Sequence, residues 1–254
     1  MSTGVDVEIS PRGIATILLN RPDRSNAIDQ RVLDDLAQHF AEMAADDRIR
    51  IVLLRGAGKH FCSGADLVAR ASSPEPPAGA TSIVDMLAAL DRLPRPTIAV
   101  VHGAAIGGGA AIAACCDVVV AAESAFFSIP EVRVGMPPLG VTPFVIRAIG
   151  HRSFRRYGLS GERFSAAEAL RVGLVHEVVA SDKLEQKVAE IVDAMLHGAP
   201  NAQRTLKDGM EASISPTVAE IMAHKASHGS PRTAEAVEGT SSFKEKRKPS
   251  WYPK

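Results

Sequence analysis

The sequence predicts an α/β fold with largely parallel, buried strands. Three observations carry this. Short apolar runs alternate with amphipathic segments of helical period over the first 140 residues. Two glycine-bearing stretches, Cys62-Ser63-Gly64-Ala65-Asp66 and Gly107-Gly108-Gly109, each follow an apolar run and open a helical one. The strand-like runs "RIRIVLL" and "DVVVAA" are apolar on both faces, as strands covered on both sides are.

Taken in order, Val5 to Ile9 alternates and Ile14 to Leu19 is β-like, with Pro11-Arg12-Gly13 as the turn of a hairpin. "NRPDRSNAID" is a loop rich in breakers, and Asp29 at its end is an N-cap candidate. Val32, Leu33, Leu36, Phe40 and Met43 then fall on one helical face. A buried strand is expected over Ile49 to Leu54, then the first glycine loop and a helix. Residues 71 to 80, "ASSPEPPAGA", read as a surface loop. A helix from Ile83 to Leu93 and a strand from Thr97 to Val101 follow. A helix from Gly107 and a return to strand in "DVVVAAESAFFSIPE" complete this part. "SAAEALRVG" is a capped helix with a C-terminal glycine. Further helices are expected over Asp182 to Leu196, Ala199 to Met210 and Thr217 to His224, and a last one before the basic-aromatic tail "KEKRKPSWYPK".

Composition excludes several function classes. Lys+Arg and Asp+Glu both number 29, so no global field recruits nucleic acid or an anionic membrane. Aromatic residues make up only 4%, too few for a base-stacking surface. Cys62, Cys115 and Cys116 have neither disulfide nor metal-ligand spacing and read as small buried thiols in a reducing compartment. Ile98 to Cys116 carries no formal charge over 19 residues, but it includes four glycines and His102 and reads as strand, loop and helix rather than a membrane span. "MSTGVDVEIS" is polar and acidic, unlike a signal peptide, so a cytoplasmic location is expected.

The two glycine loops suggest chemistry. A helix N-terminus presents unpaired N–H groups at a positive dipole end, and two such amides aimed at one point form an oxyanion hole. Neither loop has the spacing of a nucleotide phosphate cradle, and no G-x-S-x-G elbow surrounds Ser63.

"NRPDRSNAID", "HFCSGADL", "RPTIAVVHGAAIGGGAAIAACCDVVVAAESAFFSIPEVRVGMPPLG", "AIGHRSFRRYGLSGERFSAAEALRVGLVHEVV" and "EAVEGTSSFKEKRKPSW" together resemble the crotonase superfamily, the enoyl-CoA hydratases and isomerases. The resemblance runs in order from about residue 14 to the C-terminus. It implies a ClpP/crotonase-like spiral of ββα units over residues 1–195. It implies a helical C-terminal trimerisation region over 196–254, and a homotrimer or dimer of trimers. The implied substrate is an acyl-CoA thioester, with no metal or redox cofactor, no nucleic acid and no membrane partner.

Carried over by position, the backbone N–H groups of Ala65 and Gly108 would grip the thioester carbonyl. The loop at Arg24 and the Ala65-Asp66-Leu67 turn would lie along CoA. Phe243 and Lys246 would reach its adenine and phosphates, often from a neighbouring subunit. On residues alone, Lys246 is a solvated charge in "KEKRK". Hydratases of this family use two glutamates. The first position is Ala111 here; the second is Glu131 in "SIPEVRVG", which on residues alone is only a charge in the first turn of a short helix. In an apolar acyl pocket that carboxyl would have a raised pKa suited to proton transfer at neutral pH.

One carboxylate suffices to move a proton between two carbons, as in the Δ3,Δ2-enoyl-CoA isomerases. It also serves hydration if backbone groups place the water. "EVRVGMPPLGVTPFVIRAIG" and "RRYGLSGERF" resemble bacterial hydratases acting on methylglutaconyl-CoA and similar branched enoyl-CoAs, which keeps hydratase ahead of isomerase. A CoA-ester hydrolase or decarboxylase, and a non-catalytic acyl-CoA or RNA-binding member of the fold, are the other classes. His102 reads as a satisfied loop histidine, Asp117 as a structural cap or pair, and Glu123 as an exposed turn residue. Arg133 either binds a second carboxylate on a glutaconyl-type acid or, the preferred assignment, forms a structural ion pair.

Overall fold

The computed structural model describes residues 4–72, 79–211 and 234–247. The expected helix over Thr217 to His224, most of the 71–80 loop and the end of the basic tail lie outside these residues.

β1 (Val5–Ile9) and β2 (Ile14–Leu19) form the expected antiparallel hairpin. β2 then pairs in parallel with β3 (Ile51–Gly56), and the sheet continues in parallel through β4 (Thr97–Val101), β6 (Val118–Ala122) and β9 (Glu177–Val179). β3 begins two residues later than the apolar run suggests. Ile49 N–H donates to Asp46 O, and Arg50 N–H to Gly13 O, so Ile49 and Arg50 belong to the approach from the preceding helix. Both faces of the central strands β3, β4 and β6 are covered. Val52, Leu54, Ala99, Val101 and Val119 face the main core. Ile51, Leu53, Ile98, Val100 and Val120 face the opposite way, onto Leu184, Val188 and Val192 of helix α7 (Leu184–Leu196).

Helix α1 (Gln30–Ala45) starts at Asp29, whose carboxylate accepts the Val32 N–H at 3.0 Å, and it buries Val32, Leu36, Phe40 and Met43. Helix α2 (Leu67–Ser72) follows the first glycine loop. α3 (Ile83–Asp91) is opened by a Ser82–Asp85 capping box and stops two residues short of the expected Leu93, ahead of Pro94.

A second, three-stranded sheet was not legible in the sequence. It consists of β5 (Ala104–Ile106), β7 (Phe126–Ser128) and β8 (Phe164–Ser165), with β5 and β7 parallel. Helix α4 (Gly108–Cys115) leaves the end of β5 and is buried along almost its whole length. The uncharged stretch from Ile98 to Cys116 is therefore β4, β5 and α4 inside the core. No helix among the described residues is long and apolar enough to cross a membrane.

α5 (Thr142–Ser160) bends at Gly150, which has φ 73°. α6 (Ala166–Arg171) is capped by Ser165 and followed by Gly173 at φ 90°, as its sequence suggests. α7 starts two residues after Asp182, a 3-10 turn over Ser181–Lys183 taking the first part. α8 (Pro200–Glu211) and α9 (Ala234–Lys244) are the described C-terminal helices.

Candidate active site

Three parallel segments end side by side, and each carries one element of the site. Cys62 bridges Ala105 in parallel, and Ile106 N–H donates to Cys62 O at 2.9 Å. Ile106 of β5 pairs with Ser128 of β7. The chain continues from these three ends into Ala65, Gly108 and Glu131 respectively. Ligands of parallel α/β sheets bind beyond the carboxyl ends of strands, and here the ends belong to the short second sheet and the loop bridged to it.

Neither the Ala65 nor the Gly108 amide donates to a protein acceptor among the described residues. The two loops touch: a Cβ at Gly64 would lie 2.7 Å from Ile106 O and 3.6 Å from Gly108 N. Gly108 opens α4, so its amide belongs to the unpaired first turn at the positive end of the helix dipole. Ile28 and Ile83 flank it; a Cβ there would meet their Cδ1 atoms at 3.3 and 3.7 Å. Ala65 itself is exposed. Two amides without protein acceptors on touching loops, beside two isoleucines, are the parts that a paired-donor anion site with an aliphatic wall would need.

Glu131 starts a single 3-10 turn, Glu131–Val134, closed by Gly135 in the left-handed region. The residue is half-buried, but its Oε2 is fully buried and has no hydrogen-bond partner. Burial pushes its pKa from the ordinary 4.5 up to about 7, partly offset by a hydrogen bond from its own backbone N–H.

The carboxyl reaches the glycine triplet directly. A Cβ at Gly107 would sit 2.4 Å from Glu131 Oε1, and Gly107 has φ 54° and ψ −114°, a conformation side chains rarely adopt. Gly107 therefore makes room for the carboxyl, Gly108 offers the amide, and Gly109 packs against Cys62, whose O would lie 2.5 Å from an added Cβ. Sequence reasoning gave no role to Gly107, because its requirement is a tertiary contact 24 positions away. Ala111 is completely buried in α4, so no carboxylate stands at that position.

The remaining expected residues separate into groups. The exposed Arg24 has a backbone carbonyl that accepts Ser63 Oγ at 3.4 Å, so its loop does flank the Ala65 turn. Leu67 is half-buried at the start of α2. In the Ala65-Asp66-Leu67 turn, which is expected to lie along the ligand, the polar groups of Asp66 are engaged within the chain. Its carboxylate takes Ala69 N–H at 3.0 Å and Arg21 Nη2 at 3.1 Å, while its backbone pairs with Ile28 O and Arg70 N–H. Phe243 is 57% exposed on α9, and Lys246 is exposed just beyond it. α9 packs against the Glu131 turn of the same chain: a Cβ at Gly239 would lie 2.1 Å from the Val134 carbonyl.

His102 contacts Gly58 O at 2.9 Å as a satisfied loop residue. Asp117 is structural, holding Thr97 N–H and Oγ1 and Lys207 Nζ at 2.7, 2.9 and 2.5 Å. Glu123 is exposed in its turn. Arg133 departs from the ion-pair expectation. Its Nε donates to Ser160 O at 2.9 Å, and no carboxylate pairs with it among the described residues, because the turn carries the guanidinium over the C-terminal end of α5. All three cysteines are buried; burial pushes Cys62 to about 12 and Cys116 higher still, so none supplies a nucleophile. No cluster of three His, Cys, Asp or Glu side chains suited to a metal exists among the described residues.

Comparison with known proteins identifies the family. The family model described as enoyl-CoA hydratase/isomerase matches residues 10–254. A Bacillus subtilis (strain 168) protein, YngF, with a provisional enoyl-CoA hydratase/isomerase name, is 35% identical, covering 92% of this chain and 93% of its own. An enoyl-CoA hydratase structure from Mycobacterium avium subsp. paratuberculosis K-10 superposes with TM-score 0.85 at 30% identity, covering 98% of this chain and 99% of that one. Pseudomonas aeruginosa AtuE does so with TM-score 0.79 at 35% identity and the same coverages. The fold, the order of the glycine loops and the match over nearly the whole length agree: the chain belongs to the enoyl-CoA hydratase/isomerase (crotonase) family.

Proposed function

We propose that this chain is an enoyl-CoA hydratase in which Glu131 alone serves as both base and acid. The observation that supports it is the meeting of two unpaired amides, Ala65 and Gly108, with a buried carboxyl beyond the next strand end whose Oε2 has no partner among the described residues. The thioester oxygen accepts from both N–H groups, which draws electron density from C3 of the enoyl group. Ionised Glu131 takes a proton from water as its oxygen bonds to C3. The resulting enolate, held by the two amides, takes that proton from Glu131 at C2. A pKa of about 7 suits a group that must first accept and then give.

CoA itself is then part of the substrate. Arg24, Ala65 and Leu67 would line its path, with Phe243 and Lys246 at its far end and Asp66 as framework. The helical region 196–254 would carry the contacts of a trimer or dimer of trimers around the 1–195 core.

A second activity uses the same parts. A Δ3,Δ2-enoyl-CoA isomerase moves the C2 proton to Glu131 and returns it at C4. The absence of a carboxylate at Ala111 favours this alternative, since α4 carries no acidic side chain to hold the water. Hydration is placed first because the M. avium relative is named a hydratase and the segment after Glu131 resembles hydratases of branched enoyl-CoAs.

Crotonyl-CoA, 3-methylglutaconyl-CoA and a 3-enoyl-CoA, each incubated with the protein and with Glu131→Gln, decide between them. Gain of one water, lost in the variant, supports hydration. Double-bond migration without mass gain makes it an isomerase. Binding without turnover of any of them would sink both.

A further inference from the structure

We propose that Arg21 is a positioning residue for the Ala65 amide, clamping the first glycine loop through two carboxylates. Its guanidinium lies between Asp29 Oδ2 at 3.0 Å and Asp66 Oδ2 at 3.1 Å, and Nη1 also donates to Ala27 O at 2.6 Å. Asp66 is 8% exposed, and the Arg21 side chain is 21% exposed. Each carboxylate has a second task. Asp29 caps α1 through Val32 N–H, and Asp66 caps α2 through Ala69 N–H. One cation thus ties together the starts of the two helices on either side of the Ala65 turn.

The clamp acts on the oxyanion loop through the main chain. Segment 25–28 is bonded to 63–66: Ser63 N–H donates to Ser25 O, Ile28 N–H to Gly64 O, and Asp66 N–H to Ile28 O, at 3.0, 2.7 and 2.8 Å. Ala65 sits between the last two bonds, so the direction of its N–H follows the registry of this pairing. Asn26, 1% exposed, fastens the far side. Its Oδ1 accepts Arg21 N–H, and its Nδ2 donates to Ala57 O and His60 O. Arg21 suits the task because a planar fork can serve two carboxylates and a carbonyl at once, which a lysine ammonium on a flexible stem does poorly. A shift of about 1 Å in a positioned group costs on the order of a hundredfold in rate.

The proposal rests on Ala65 and Gly108 acting as oxyanion donors, and its test separates the two ideas. The probe is a cinnamoyl-CoA thioester, whose absorption moves to the red when its carbonyl is polarised. The variants are Arg21→Lys and Asp66→Asn; the second keeps the Oδ1 acceptor that caps α2. The expected result is a clear red shift with the wild-type protein and a smaller one with both variants. Turnover should fall about tenfold or more while KM stays within about twofold. Retained thermal unfolding transitions show that both variants are folded. Should Arg21→Lys fail to fold, Asp66→Asn alone carries the test. A full red shift and unchanged turnover in a folded variant overturn the clamp alone. No red shift with the wild-type protein overturns the oxyanion assignment as well.

Discussion

Replacing Glu131 by glutamine separates what the carboxyl costs the fold from what it does for the reaction. Oε2 is buried without a partner, and burial raises the pKa from 4.5 to about 7. Below about pH 4.5 the group is protonated in both the folded and the unfolded chain, and its burial carries no charge penalty. Between there and about pH 7 the unfolded chain ionises first, so stability falls as pH rises. Above about 7 both states are ionised and the full cost stands. A shift of this size corresponds to about 3 kcal/mol. Glutamine carries no charge at any of these pH values. The stability of Glu131→Gln relative to wild type therefore rises by about 3 kcal/mol between pH 4.5 and 8.5. The new amide has two donors and no protein acceptor shown for them, which costs about 1 kcal/mol at every pH and leaves the difference intact. Urea unfolding of both proteins at the two pH values, with midpoint and slope compared, measures it. A stability difference that is the same at both pH values would refute the buried, destabilised carboxylate.

The wild-type kcat/KM rises with pH through a single limb near 7, because the ionised form takes the first proton; a limb below pH 5 contradicts this assignment. Gly107→Ala places a Cβ 2.4 Å from Glu131 Oε1 at a φ of 54°, so turnover falls by about a hundredfold and stability by about 1–2 kcal/mol. Steady-state kinetics and unfolding curves check both parts, and near-wild-type turnover would show that the carboxyl does not depend on this glycine. Cys62, Cys115 and Cys116 are all buried, so a thiol reagent at pH 8 labels none of them in the native protein and all three after denaturation. Rapid labelling of the native chain would mean that the α4 region opens readily.

Much of the architecture can be read from periodicity, because the large sheet and its helices are long enough to show it. The Asp29 cap, the face of α1 and the burial of β4 and β6 all follow from local pattern. The small sheet does not. β5 is three residues of Ala-Ala-Ile and β8 is two residues, too short for any period. Yet that sheet, with the Cys62 loop bridged to it, aligns the site. The positions of Ala65, Gly108 and Glu131 came from resemblance to a family rather than from spacing. Their convergence depends on pairings such as Cys62 with Ala105 and Ile106 with Ser128, which are far apart in the chain. Asp66 shows the converse. Its place in the Ala65-Asp66-Leu67 turn suggests a path for the ligand, while the pairing of its carboxylate with Arg21, 45 residues earlier, shows in no local pattern. Arg133 departs from the expected ion pair because its partner is a helix-end carbonyl, a group invisible to charge pairing.

In the proposed reaction one carboxyl moves one proton. Turnover of crotonyl-CoA in heavy water by wild type and by Glu131→Gln tests that most directly, with CoA-ester affinity measured alongside. A hydrated product with one deuterium at C2 is expected from the wild type. A loss of about a thousandfold or more is expected in the variant, at an affinity unchanged within about twofold. Turnover by Glu131→Gln within tenfold of wild type, with deuterium still delivered to C2, would show that another group carries the proton.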